Sequence, residues 1–163
     1  MFDRVGLLGL IQDLYAASKD NQAFLHARLH LGDDVLKPYK AAIGRWLRPD
    51  VLKNQNTSVA KAKKAITDYK KASGTADGLA ELMLFYCERA SGFSCDVCLD
   101  DEAYLSALVR MFEQALKAVA TLPETQRPAL WTRLRMVRNS SHDIGYGVGE
   151  DMDALLSEHG ADD

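Results

Sequence analysis

Residues 58–74, SVAKAKKAITDYKKASG, hold a helix start, two sorted faces and a helix stop in one stretch, and so commit the chain to helical architecture. Thr57 or Ser58 can accept a hydrogen bond from an otherwise unpaired first-turn amide, and Gly74 can take the left-handed conformation that ends a helix. At about 100° per residue, Val59, Ala62, Ala65, Ile66, Tyr69 and Ala72 gather on one side, while Lys61, Lys63, Lys64, Lys70 and Lys71 spread over the other. The spacing predicts a helix with one packing face and one basic face.

The helical period recurs along the chain, and no β-branched alternation interrupts it. Helix one, about 4–17, has a wide apolar surface from Val5, Leu7, Leu8, Leu10, Ile11, Leu14 and Tyr15. Ser18 is placed to cap helix two, about 19–31, which packs through Phe24, Leu25 and Leu29. Helix three starts at Asp33 or Asp34, tolerates Pro38 near its first turn and ends at Arg48, before Pro49. A polar linker over 50–56 leads into the basic helix four. Helix five, about 77–90, is apolar all round through Leu82, Met83, Leu84, Phe85, Tyr86 and Cys87, so it belongs at the centre under flanking helices. Helices six, seven and eight follow at about 101–121, 124–139 and 150–159. The chain is therefore expected to be all-α: about eight helices paired as antiparallel hairpins, one with two through seven with eight, in a compact orthogonal bundle or a short irregular helical stack. One helical domain is expected over 1–159, with a frayed tail at 160–163.

A 163-residue chain that is 47% hydrophobic and 26% charged, with only four prolines, can bury a core without disulfides or metal. Its three cysteines, Cys87, Cys95 and Cys98, are an odd number and favour a reducing cytosol over a secreted disulfide framework. The apolar run 5–11 is short, lacks a basic leader and meets Gln12 and Asp13, so no signal peptide is expected. No stretch approaches the roughly 18 apolar residues of a membrane span. A soluble, cytoplasmic protein with no membrane association is expected. Its net charge of -3 conceals an asymmetry: residues 45–71 hold eight basic side chains against two acids, which is +6, so the remainder carries -9. Such a dipolar chain can steer an anionic partner to one end.

Four segments, SKDNQAFLHARL at 18–29, AKKAITDYKKASG at 62–74, GLAELMLFYCE at 78–88 and DIGYGVGEDMDAL at 143–155, together resemble an uncharacterised family of small all-helical bacterial proteins, classified as a domain of unknown function. The resemblance covers most of the chain. It implies an all-α bacterial cytosolic protein and implies no activity. The cysteines do not belong to the shared pattern.

The chemistry-bearing residues form no catalytic signature. Cys95 and Cys98 make a single CxxC, whereas structural zinc takes four ligands from paired motifs; the missing half would have to be His26 and His30, or Cys87 with His142. A redox CxxC normally follows a strand, and none is expected. Small core or loop cysteines account for them, and His26 and His30, without the glutamate of HExxH, read as a solvated face. The glycines of 145–149 lack the strand, helix and lysine of a phosphate cradle, so GYGVG reads as a tight connection between helices seven and eight. As an exposed loop site it would offer His142, Tyr146, Gly147 and Asp151. Glu81 and Glu88 lie on one face of helix five without the Glu-x-x-His companion of four-helix metal sites, and read as core-boundary residues.

The sequence thus favours a protein-interaction or scaffolding module. Its contact face is the basic surface of Lys61, Lys63, Lys64, Lys70 and Lys71 with Arg45 and Arg48, toward an unidentified protein partner. Weak nucleic-acid binding through the same lysines is the alternative, disfavoured by a pI near 5.8. A small metal-dependent activity using Cys95 and Cys98 stands third. No cofactor is expected and no residue is assigned to catalysis. The apolar surface of helix one fits burial either within the monomer or between copies, so a homo-oligomer stays open.

Overall fold

Side-chain caps set four of the eight helix starts. The Asp3 carboxylate accepts from the Gly6 amide at 2.7 Å, Ser18 Oγ from Asn21 at 3.1 Å, Ser58 Oγ from Lys61 at 3.3 Å and Asp101 from Tyr104 at 3.0 Å. In the computed structural model, which describes residues 3–159, these caps open α1 (Arg4–Ala17), α2 (Lys19–Leu29), α4 (Val59–Ala72) and α6 (Glu102–Ala120). Proline in the first turn opens α3 (Lys37–Leu47) and α7 (Arg127–Ser141), while α5 (Ala76–Val97) and α8 (Val148–Glu158) complete the set. The protein is all-α, with eight helices and no strand among the described residues. The expected fray at 160–163 lies outside them. None of these helices is long and apolar enough to cross a membrane.

Several boundaries differ from those the sequence suggests, each for a local reason. Helix α2 stops at Leu29 because His30 turns left-handed at φ 53°. Helix α3 begins only at Lys37, after a turn in which Asp34 accepts from the Leu36 amide. The 50–56 linker contains a 3-10 turn, Val51–Lys53, started by the Asp50 carboxylate. The largest difference is α5, which continues past Ala90 to Val97. Ser91 and Ser94 are buried there: Ser94 Oγ donates to the Ala90 carbonyl, and Ser91 Oγ is hydrogen bonded to Ser140 and Ser141 of α7. Polar residues that read as a helix end are instead a close helix–helix seam. Gly74 does end its helix, at φ 64°, where an added Cβ would lie 2.6 Å from the Lys70 carbonyl oxygen.

Helix α5 is the axis of a compact bundle. It packs on α3, α4, α6 and α7, and α8 closes over α6 and α7, so a linear helical stack is excluded. All four expected hairpin pairs are in contact. Leu82, Leu84, Tyr86 and Cys87 of α5 are buried with Leu108, Phe112 and Leu116 of α6, Ile43 and Leu47 of α3, and Leu134 of α7. Full burial of each large aliphatic or aromatic side chain is worth about 1.5–3 kcal/mol. The Tyr104 hydroxyl donates to the Leu47 carbonyl at 2.7 Å, tying α6 to the end of α3. At the far side, α2 reaches the bundle through α4, and α1 packs on α2 with none of its own residues buried.

Two helical glycines separate packing from propensity. A Cβ on Gly78 would meet the Tyr69 ring, 2.1 Å from its hydroxyl oxygen, and that ring is buried and hydrogen bonded to Thr75. Gly44, inside α3, faces open space. Gly78→Ala is expected to destabilise by about 1–3 kcal/mol through overpacking. Gly44→Ala should stabilise by about 0.5–1 kcal/mol through helix propensity. Urea unfolding of both variants, read by circular dichroism, measures the opposite signs.

Candidate functional site

The seven basic residues singled out in the sequence do not form one continuous face. Arg48 pairs with Asp96 of α5 at 2.5 Å, which uses its charge to hold the end of α3 against the end of α5. Arg45 and Lys61 both lie over the Trp46 ring, at 4.5 and 4.0 Å from its centroid, so the indole is sheathed by cations. Lys63 and Lys70 fall on one flank of α4. Lys64 and Lys71 fall on the other, in a stripe with Asp68 at helical spacings of four and three residues. Lys64 Nζ is bound to Asp68 at 2.5 Å, and that hydrogen bond raises its pKa.

That second stripe borders a groove of about 500 Å³ between α2, α3 and α4. Its position follows from local structure. The Ser18 cap places Lys19 and Asp20 in the first turn of α2, and Ala23 and Phe24 follow one turn on. The proline start of α3 sets Pro38, Tyr39 and Ala42 opposite, and Ala65 of α4 lies between its lysines and the floor. The floor is apolar and the rim carries Lys19, Lys64 and Lys71 against Asp20 and Asp68. Tyr39 packs edge-on against Tyr69, ring centroids 5.3 Å apart. Burial, and then the Asp68 carboxylate, push its phenol up to about 12, so it stays a neutral floor group at physiological pH. Lys19, Phe24 and Tyr39 were missed as groove residues by sequence reasoning. The capping pattern of Ser18 is the only signal that pointed toward this end of α2.

Glu81 and Glu88 are at the core boundary, as their spacing suggests, but their partners come from distant helices. The Arg133 guanidinium of α7 donates to both carboxylates, at 2.6 Å to Glu81 Oε2 and 2.8 Å to Glu88 Oε1, and Lys40 of α3 donates to Glu81 at 2.7 Å. Burial works to raise the Glu81 carboxyl pKa, but the hydrogen bonds from Arg133 and Lys40 outweigh it and hold the group below its ordinary value. Those same carboxylates, Glu88 foremost, raise the Arg133 pKa. Both carboxylates are occupied by donors from this chain, so the network clamps α3, α5 and α7 and leaves no open acid for chemistry.

The glycine-rich connection is shorter than the sequence suggests, because Val148 and Gly149 already belong to α8. Its proposed site residues separate. Tyr146, left-handed at φ 61°, donates its hydroxyl proton to Asp100, and with Asp151 it lines a cleft of about 360 Å³ beside Arg110. Gly147 caps α8 at φ 69°. His142 turns to Asp153, 3.2 Å away, and packs so closely on Gly149 that an added Cβ would lie 2.7 Å from its Nδ1.

The cysteines also separate by environment. Cys87 is buried in the core, Cys95 is exposed in the last turns of α5, and Cys98 ends that helix in a left-handed conformation. Burial raises the Cys95 pKa, with Asp143 adding to it, which is the reverse of an activated thiolate. His26 is hydrogen bonded to Tyr15 at 2.9 Å and His30 has left the helix, so the two do not share a helical face. No group of three metal-ligating side chains occurs among the described residues. Compared with protein-family models, curated proteins and solved structures, the chain matches none.

Breaking the Arg133 clamp has a signed consequence. Because Glu81 is depressed in the folded protein, the stability it contributes is complete above its ordinary value of 4.5 and is lost as pH falls through the lower folded value. Arg133→Met should cost about 1–3 kcal/mol near neutral pH by leaving Glu88 without its partner, and should shrink the loss on acidification. Arg133→Lys should fall between, because a point charge cannot fork to two carboxylates. Urea midpoints measured from neutral pH downward read both effects.

Proposed function

We propose that this chain is a bacterial cytosolic protein-interaction module that holds an amphipathic helical segment of a partner protein in the groove between α2, α3 and α4. The observation that carries this is the meeting of the Lys64–Lys71 stripe with an apolar floor of Ala23, Phe24, Tyr39 and Ala42. Helix-in-groove recognition needs that combination: apolar floor positions take residues at helical spacing, and rim charges orient the guest. Lys64 is already paired with Asp68, which leaves Lys19 and Lys71 as rim ammonium groups without an ion-pair partner among the described residues. A guest with an acidic flank matches them.

Nucleic-acid binding through the same lysines draws less support. Arg48 is spent on Asp96 and Lys64 on Asp68, and the Trp46 ring, which would serve as a stacking platform, carries Arg45 and Lys61. The metal-dependent alternative finds no converging ligand set among the described residues.

The test is fluorescence anisotropy with a labelled synthetic amphipathic helix of leucine and glutamate in heptad spacing, against a scrambled peptide and against single- and double-stranded DNA over a salt series. Selective binding of the patterned peptide, weakened roughly tenfold or more in Lys64→Glu/Lys71→Glu with an unchanged melting temperature, is the expected result. Equal binding of both peptides, or none, would overturn the groove reading. Salt-steep DNA binding abolished by the same substitutions would move nucleic acid into first place.

A further inference from the structure

Helix α1 is a fourteen-residue helix without one buried residue, although most of its side chains are large and apolar. Leu7, Leu8, Leu10, Ile11 and Leu14 are each between 44% and 53% exposed, and Val5 is 76% exposed. A helix of this composition belongs in an interior, and one this short is marginal in water without cover. It is nevertheless docked in a defined way. Asn21 Nδ2 donates to the Leu14 carbonyl at 2.7 Å, Gln22 Nε2 to the Tyr15 carbonyl at 3.1 Å, and the Tyr15 hydroxyl meets His26. Two carbonyls in the last turn of α1 thus accept from α2, and the two helices form a hairpin whose outer side lacks a partner among the described residues. An apolar cleft of about 270 Å³ along it, between Ile11 and Leu29, marks where further side chains can enter.

We infer that this face is the interface with a second copy of the same chain, the two α1–α2 hairpins packing across a two-fold axis into a four-helix layer. Area is the first support. The half-exposed apolar side chains of the hairpin together present on the order of 400 Å² of apolar surface. A standard interface buries about 800 Å² per partner, of which roughly 56–65% is apolar, so the patch supplies close to one side of a stable dimer. Charge is the second support. The only charged residues of α1 are Arg4 and Asp13, one of each sign, so two identical faces meet without net repulsion. A membrane surface would select a helix rich in lysine and arginine on its polar side, which α1 is not. An acidic or basic partner would find no complementary field. Closed two-fold pairing also buries the patch completely on both copies, where a heterologous contact would leave one exposed.

Sedimentation velocity of the full chain over a dilution series, with no groove peptide present, tests this. The expected result is a species of twice 18.0 kDa that dissociates on dilution. Leu7→Glu/Ile11→Glu should raise the dimer dissociation constant at least ~100-fold, about 2.7 kcal/mol, while Leu52→Glu, on an exposed site elsewhere, leaves it unchanged. A monomer at every concentration, or a dimer that the α1 substitutions do not weaken, would overturn the inference. Hydrogen exchange of the unmodified chain decides the matter even where the double variant fails to fold. Protection of α1 amides that rises with protein concentration supports the dimer, and protection independent of concentration overturns it.

Discussion

Burial of the middle of α5 is the constraint on which the rest of this structure depends. A helix that is apolar on every side cannot present a face to water, so its neighbours must surround it, and α3, α4, α6 and α7 do so. Once those four are fixed, the remaining positions are nearly determined: α8 closes the seam of α6 and α7, while α2 can add only at the margin, on α4. Where α5 could not be apolar throughout, at Glu81 and Glu88, the fold supplies Arg133 and Lys40 so that the carboxylates enter the boundary as hydrogen-bonded ions. The packing of Ser91 against Ser140 and Ser141 lets α5 and α7 approach at their far ends, where a large side chain would hold them apart.

The same organisation explains what became of the dipolar charge pattern. The basic segment 45–71 meets the acidic remainder at Arg48, which pairs with Asp96 across a long sequence separation, while Lys64 pairs inside the segment with its helical neighbour Asp68. Such pairs contribute little individually when solvent reaches them. Their effect is on what is left over. Internal pairing removes Arg48 and Lys64 from the basic set, the Trp46 ring gathers Arg45 and Lys61, and what remains on α4 is divided, with Lys63 and Lys70 on one flank and Lys71 at the groove. A charge run in sequence is therefore a poor guide to a charged face in three dimensions, because each side chain's partner is set by topology.

Legibility follows the same line between local and non-local causes. The bounds of α1 and α4, the Ser18 and Ser58 caps and the Gly74 stop were readable because their determinants lie within one turn of the residue concerned. The central place of α5 was readable from its composition. Its length was not, since Ser91 is buried against the small, polar surface that α7 supplies, and Ser94 turns its hydroxyl back to the Ala90 carbonyl of its own helix. The lysines were visible as residues but not as a site: the groove depends on Phe24 and Tyr39, which come from helices whose adjacency no local pattern announces. Likewise His142, Tyr146 and Asp151 are close in sequence, yet the left-handed turn at Tyr146 and Gly147 sends His142 to Asp153 and Tyr146 to Asp100.

Helix α2 joins the two surfaces for which binding is proposed. One of its sides gives Lys19, Asp20 and Phe24 to the groove, and another gives Leu25 and Leu29 to the apolar cleft along α1. Its own hold on the bundle is slight: Ala27 is its single buried residue, and Arg28 reaches the Ala72 carbonyl at 3.3 Å. An element with so little buried surface lies at the low end of local stability. Whatever covers α1 therefore also steadies the wall of the groove, and whatever fills the groove steadies the hairpin that self-association requires. Because binding free energies are linked reciprocally, each of the two proposed events would strengthen the other without direct contact between the two sites. Such coupling would need no relay through the core, since α1 packs on α2 and α2 meets the bundle at α4.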